Sequence, residues 1–334
     1  MASLAFPSIA KKVVVKDGTT YGYAVVAPAA ADKPVFLLLH GYPSSSYDWR
    51  NQIRTLSAAG YGVIAPDLLG YGDTDAPGGV GAYRFKTMSQ HMSDILDSEG
   101  VSGCIAVGHD WGCGLLSRLV TYIPDRLIGV VFLSVSYLQP GLVWDIGELI
   151  QLGREINGYE THGYWLWHGT EEAVQDCEAQ PASVFNLLYP ADPEDWKRYF
   201  APVGKAAEYV RTGQLAPLPS WFSLDEYTIR DRILQMNGYR GPLNWYKAAM
   251  QGLNLPDEHE ISEVDKECRV PTLLVVGDQD YVLLADAQSE NTRKWAKDLR
   301  VEILDCGHWI QLERPDKLQS LLERFAAEIS NGTS

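Results

Sequence analysis

Four stretches of this chain carry side chains that could make and break bonds, and each follows an apolar run of strand-like composition. Gly108-His109-Asp110-Trp111-Gly112 comes after Cys104 to Val107 and before a helical run. At a sharp strand-to-helix turn the central residue is forced to unusual dihedrals and its side chain stands clear above the sheet, while flanking glycines let strand and helix approach. The central residue here is a carboxylate, already ionised near neutral pH, which can attack carbon without first losing a proton. The plainer account of the same pattern is an Asp capping a helix N-terminus. His40-Gly41-Tyr42-Pro43 offers the backbone N–H of Tyr42, which with that of Trp111 would converge on one oxygen as an oxyanion hole. Tyr42-Pro43 is either a cis bond or an ordinary Pro turn, and the dipeptide alone does not choose. Asp278-Gln279-Asp280 and Cys306-Gly307-His308-Trp309 follow the seventh and eighth strand-like runs, at the carboxyl ends where open α/β sheets hold ligands. A single loop histidine is more often structural than catalytic. His308 gains meaning from the set, which falls in the chain order nucleophile, acid, histidine.

The elements that must position these residues are legible as alternating runs. Lys12 to Lys16 and Tyr21 to Val26, separated by Asp17-Gly18, read as a hairpin. Val35 to Leu39, Gly62 to Ala65, Cys104 to Val107, Gly129 to Leu133, Thr272 to Val276 and Val301 to Leu304 are mostly continuous apolar runs, as expected of strands covered on both faces. Amphipathic segments at Trp49 to Ala59, Met88 to Ser98, Cys113 to Tyr122, Asp286 to Lys297 and Pro315 to Ile329 supply crossover helices. The fold class expected is α/β, a mostly parallel, doubly wound, eight-stranded sheet. From about residue 139 to 238 the rhythm breaks into Trp, Tyr, Pro and acidic residues without β runs. That stretch reads as a helical cap inserted into a core made of 1–138 and 239–334.

Composition narrows the classes. The 334 residues are 46% hydrophobic and 21% charged, enough to bury a large core. A net charge of -15 repels polyanions, so no nucleic acid and no anionic membrane is expected as partner. Five cysteines, Cys104, Cys113, Cys177, Cys268 and Cys306, form no CxxC pair, which points away from a disulfide framework or a zinc site and toward a reducing, cytoplasmic location. The N-terminal apolar run is too short for a signal peptide and nowhere do 18 apolar residues run together, so no membrane insertion is expected. Asn331-Gly332-Thr333 matches a glycosylation sequon and reads as a polar tail. No HExxH, Walker or strand-following GxGxxG motif is present, so neither cofactor nor metal is expected. The run Asp257-Glu258-His259-Glu260 reads as a solvated acidic loop.

Taken together these residues resemble the soluble epoxide hydrolases of the α/β-hydrolase fold. The resemblance covers essentially the whole chain, through HGYP, PDLLGYGDTDAP, GHDWG, GDQDYV and CGHW. It implies that Asp110 is the nucleophile, His308 the base, and Asp280 rather than Asp278 the acid that orients the base. It also implies two cap tyrosines that bind the epoxide oxygen. Their best matches are Tyr164 in GYWLW and Tyr246 in LNWY, with Tyr159 a rival to Tyr164. Tyr42 and Trp111 would supply the oxyanion hole, and His40, Trp111 and Trp309 would touch substrate. The reactants implied are water and a small apolar epoxide, in detoxification or lipid metabolism, and a homodimer is compatible with the sequence. The phosphatase domain that precedes the hydrolase in mammalian relatives is not expected in a chain of this length.

Two other readings share these residues. A haloalkane dehalogenase uses the same Asp, His and ester, but needs N–H donors for halide where Tyr42 stands, and leaves the two cap tyrosines without a purpose. A non-catalytic ligand-binding protein on the same fold predicts a decayed catalytic set, whereas every role is filled here.

Overall fold

The structure, a computed structural model, describes residues 1–332. Thr333 of the sequon lies outside the described residues. Eight strands, β1 Ala10–Val14, β2 Thr20–Val26, β3 Val35–Leu39, β4 Gly62–Pro66, β5 Cys104–His109, β6 Leu127–Leu133, β7 Thr272–Gly277 and β8 Leu299–Leu304, form one sheet in the order β1-β2-β4-β3-β5-β6-β7-β8. The β1/β2 and β2/β4 pairs are antiparallel and the remaining pairs parallel.

Alternation along the strands builds two apolar layers, because successive side chains leave opposite faces. Phe36 and Leu38, Ile105 and Val107, and Val131 and Leu133 join one layer, which includes Ile53 and Leu56 of the helix Arg50–Ala58 and Leu318, Leu322 and Phe325 of the helix Pro315–Gly332. Leu37, Ala106, Val130 and Phe132 face the other layer, with Met88, Met92 and Ile95 of the helix Phe85–Ser98 and Leu115, Leu116 and Leu119 of the helix Trp111–Tyr122. Each fully buried aliphatic or Phe side chain contributes about 1.5–3 kcal/mol, so the sheet centre holds the site from below.

The first strand begins and ends two residues earlier than its apolar pattern suggests. The turn claims Val15, whose N–H donates to Thr19 O while its carbonyl accepts from Gly18 N–H, and Gly18 takes φ 96°, where a residue with a side chain is disfavoured.

Between β6 and β7 no strand occurs among the described residues. The chain instead runs through helices Ile146–Asn157, Tyr164–His168, Glu171–Ala179, Pro181–Leu188, Lys205–Arg211, Leu224–Asn237 and Arg240–Met250. Their ends are chemically marked: Thr170 Oγ1 accepts from Ala173 N–H, Ser223 and Glu226 form a capping box, and Gly158 closes its helix at φ 77°. Aromatic side chains of these helices, among them Trp165 and Tyr246, belong to the same apolar layer as the helix Trp111–Tyr122.

In the acidic run near 257, His259 and Glu260 are exposed as expected, but the two residues before them are engaged. Glu258 is 2% exposed, accepts from Arg118 Nε at 2.8 Å and Nη2 at 3.0 Å, and accepts from Gly141 N–H at 2.6 Å. Asp257 pairs with Arg84 at 2.7 Å. No cluster able to hold a metal occurs among the described residues. Arg118→Met would leave Glu258 buried and unpaired, costing about 3–5 kcal/mol. The double variant Arg118→Met/Glu258→Met should recover much of that loss in urea melts, and equal loss in single and double variants would deny the pair its role.

Candidate active site

Asp110 follows β5 and precedes the helix Trp111–Tyr122 at φ 52°, ψ −123°. A non-glycine residue holds such a backbone only when its surroundings fix it. They do so here through close approach. A Cβ on Gly112 would collide with the Leu39 carbonyl, and one on Gly41 with the Asp110 carboxylate. The elbow, its helix and the loop after β3 therefore meet at backbone contact.

That contact brings the Tyr42 N–H to Asp110 Oδ1 at 2.6 Å, and the Trp111 amide also favours the ionised form of this carboxylate. The Tyr42-Pro43 peptide is cis. The Pro43 carbonyl is held from the helices between β6 and β7: Arg230 Nη2 donates to it at 3.0 Å, and the Tyr189 hydroxyl, which donates to Asp48 Oδ2 at 2.8 Å, lies 3.2 Å from it. Arg230 is 1% exposed and lies over the Phe185 and Tyr189 rings at 5.1 and 4.8 Å.

The second carboxylate oxygen, Oδ2, lies 3.8 Å from His308 Nε2. His308 Nδ1 meets Asp280 Oδ2 at 2.7 Å, and because a carboxylate only accepts, the ring proton sits on Nδ1 and the Nε2 lone pair is turned toward Asp110. Asp280 is itself fixed, since its Oδ1 accepts from the amides of Val282 and Leu283 at 3.0 and 2.9 Å. Asp278 is exposed, so the structure brings Asp280, not Asp278, to the histidine. The His308 carbonyl is gripped by His109 Nε2 at 3.0 Å and by the Ser134 hydroxyl at 2.6 Å.

Burial dominates the electrostatics and acts in opposite directions on acids and bases. It raises the pKa of Asp110, opposed by His308 and the two amides. It would lower that of His308, yet the Asp280 carboxylate outweighs it and the imidazole ends above its usual 6.5. Burial also pushes Tyr164 and Tyr246 up, so both phenols keep their protons in neutral water.

A cavity of about 300 Å³ opens beside Asp110, lined by Trp111, Tyr164, Trp165, Tyr246 and apolar residues that include Leu149 and Leu152. Its wall also includes Val143 and Ile156, 68% and 70% exposed. Tyr164 stacks on Phe200 at 4.0 Å and Tyr246 stands edge-on to Trp111 at 5.1 Å. Tyr159 is elsewhere: its hydroxyl donates to Tyr281 O at 2.9 Å and it does not line the cavity.

One of the expected substrate contacts is corrected and a second is displaced to a narrower cleft. His40 is fully buried away from the cavity, with Nε2 accepting from Leu68 N–H at 2.9 Å and Nδ1 3.0 Å from Gly41 O, so both ring nitrogens serve the loop backbone. Trp309 does not line the large cavity. Its indole N–H donates to Leu188 O at 2.7 Å and its ring stacks on Tyr189 at 4.0 Å, which leaves it only an edge of a narrow cleft beside Asp110 and His308. Trp111 does line the cavity. Ser134, Tyr189 and Arg230 carry no motif, and the role of His109 is invisible within its own motif because it depends on a partner 199 residues away.

The His308 imidazole should titrate above pH 6.5 by NMR, and Asp280→Asn should lower that midpoint, because burial then acts against the imidazolium without the compensating carboxylate. An unchanged midpoint in Asp280→Asn would show that the pair does not set the basicity of His308.

The "Alpha/beta hydrolase family" profile matches residues 36–319. "Epoxide hydrolase srdG" of Neurospora crassa is 30% identical over 328 residues, covering 92% of this chain and 91% of that protein. "Bifunctional epoxide hydrolase 2" of Mus musculus is 29% identical over 330 residues, and the match takes in 94% of this chain but only 57% of the mouse protein. Among solved structures, the epoxide hydrolase from an endophytic Streptomyces superposes with a TM-score of 0.83 at 25% identity, covering 97% of this chain and 96% of that one. Epoxide hydrolase A from Mycobacterium thermoresistibile gives 0.80 at 26% identity, covering 95% and 97%. The chain belongs to the alpha/beta hydrolase family, and within it to the epoxide hydrolases.

Proposed function

We propose that this protein opens epoxides with water to give vicinal diols, through a covalent ester on Asp110. The observation that carries the reading is the placing of one carboxylate between two amides and an imidazole on one side and two protonated phenols in the same cavity on the other.

An epoxide carbon is saturated and must be displaced from behind. Asp110 Oδ2 forms the new C–O bond while the ring C–O bond breaks, and the released alkoxide takes a proton from Tyr164 or Tyr246. The other carboxylate oxygen, Oδ1, already rests on the Tyr42 amide, so the ester carbonyl forms inside the hole that must later hold its oxyanion. At 3.8 Å the gap between His308 Nε2 and Asp110 Oδ2 is too long for a hydrogen bond and short enough for one water to touch both. His308 takes a proton from that water as it adds to the ester carbonyl, the intermediate collapses, and the diol oxygen leaves. Of the water's two protons one ends on the diol and the other restores the phenol, so enzyme and charge are regenerated. The groups that act are all supplied by the chain.

The insertion between residues 139 and 238 acts as a cap in this scheme, carrying Tyr164 while Tyr246 follows it, and the apolar walls select an apolar epoxide. The five cysteines are unpaired and buried, which supports the cytoplasm as its compartment. No helix among the described residues is long and apolar enough to cross a membrane. Detoxification or lipid metabolism is the setting such substrates suggest.

Single turnover with excess enzyme in heavy-oxygen water should place the label in the peptide holding Asp110 and leave the first diol unlabelled; label entering the diol directly would sink the ester mechanism. His308→Gln should add the mass of one epoxide to the intact protein while turnover falls by roughly 10²–10⁴-fold. The absence of both adduct and lost turnover would remove His308 from its role. Tyr164→Phe/Tyr246→Phe should slow the appearance of that adduct by roughly 10²–10³-fold with the thermal melt retained, and adduct formation at the original rate would redirect the reading toward halides.

A further inference from the structure

One polar side chain in the cavity wall has no part in the chemistry above. His162 precedes the helix Tyr164–His168 and lines the same cavity as Asp110, Tyr164 and Tyr246. Its Nδ1 lies 2.7 Å from the hydroxyl of Thr161, another wall residue. With that hydroxyl donating to Nδ1, the ring's own proton sits on Nε2. Nε2 in turn has no protein partner among the described residues. Burial, partly offset by the charge of Asp280, holds the His162 pKa down at about 4, so the ring offers a dipole and no cation.

The surroundings isolate this donor. A Cβ on Gly153 would lie 2.8 Å from Thr161 Oγ1, so the helix Ile146–Asn157 is cut away where the pair sits. Two other polar wall residues are already engaged: Ser136 N–H donates to Gln288 Oε1 at 2.8 Å, and Asn291 Nδ2 donates to Ser136 Oγ and Tyr137 O at 3.1 and 2.8 Å. The rest of the nearby wall, Trp144, Leu149 and Trp165, is apolar in character.

We propose that His162, oriented by Thr161, is a specificity-determining donor whose Nε2–H receives an uncharged acceptor, a carbonyl or ether oxygen, carried on the substrate's tail away from the epoxide ring. The inference rests on the epoxide reading and adds the substrate class: a lipophilic epoxide with one neutral acceptor. A carboxylate is disfavoured at this point because a neutral imidazole in an apolar wall gives a buried anion no counter-charge.

The test is steady-state kinetics on two matched series of terminal epoxides. One has plain alkyl tails, and the other has one methylene replaced by a ketone carbonyl that moves outward carbon by carbon. In the wild-type enzyme the ketone-to-alkyl ratio of kcat/KM should peak at one position, about tenfold above its neighbours, as expected for one buried hydrogen bond. His162→Phe should flatten the profile. Thr161→Val, which frees the tautomer, should shrink the peak severalfold, and His162→Gln, which keeps an N–H donor, should restore part of it. A flat wild-type profile, or a peak that survives His162→Phe, overturns the proposal. If the plain alkyl epoxides are not hydrolysed at all, the epoxide reading itself fails and takes this inference with it.

Discussion

Asp110 occupies a backbone conformation that its own chemistry does not favour, at a cost of order 1–3 kcal/mol. What holds it there is the sheet: β5 lies between β3 and β6, its residues buried throughout. Because the elbow cannot relax, the carboxylate stands above the turn, and its Oδ1 meets the Tyr42 amide of the loop after β3. The capping account of an Asp at this position is excluded by the same geometry, since no side-chain cap bond forms. Gly41 and Gly112 are the complement of that strain, removing side chains where three backbone segments converge.

Water exclusion by the inserted helices has different consequences for each ionisable group. Carboxyl and phenol groups are pushed toward their neutral forms, and the histidines His40, His109, His162 and His168 are pushed toward theirs. His308 alone among these histidines moves the other way, because it alone has a buried carboxylate at hydrogen-bond distance. The site thus contains one basic imidazole in a chamber where proton affinity is otherwise set by burial, and the identity of that imidazole is decided by Asp280.

The parallel core was legible because strands covered on both faces read as unbroken apolar runs, and β3 falls at Val35–Leu39 as its pattern implies. The elbow was legible because Gly, Asp and Gly at fixed spacing encode a backbone shape. The choice of Asp280 over Asp278 came from resemblance; in the structure it follows from burial, which a two-residue spacing does not reveal. His40 was misread because a histidine beside the hole looks like a ligand, while its two nitrogens are taken up by backbone at Gly41 and Leu68. Glu258 was misread because its partner Arg118 is 140 residues away. Such errors share a cause: composition reports what a residue can do, and only the fold reports whether that capacity is already spent.

The Arg230 guanidinium crosses from the helices between β6 and β7 to the carbonyl of Pro43, the residue after the one whose amide holds Asp110. The helices between β6 and β7 and the loop that holds Asp110 are therefore not interchangeable modules. Protein engineers who transplant these helices from a relative to obtain a new enantiopreference would also be rebuilding the support of the loop that carries the Tyr42 amide, and a chimaera succeeds only if the incoming helices bring their own grip on that carbonyl.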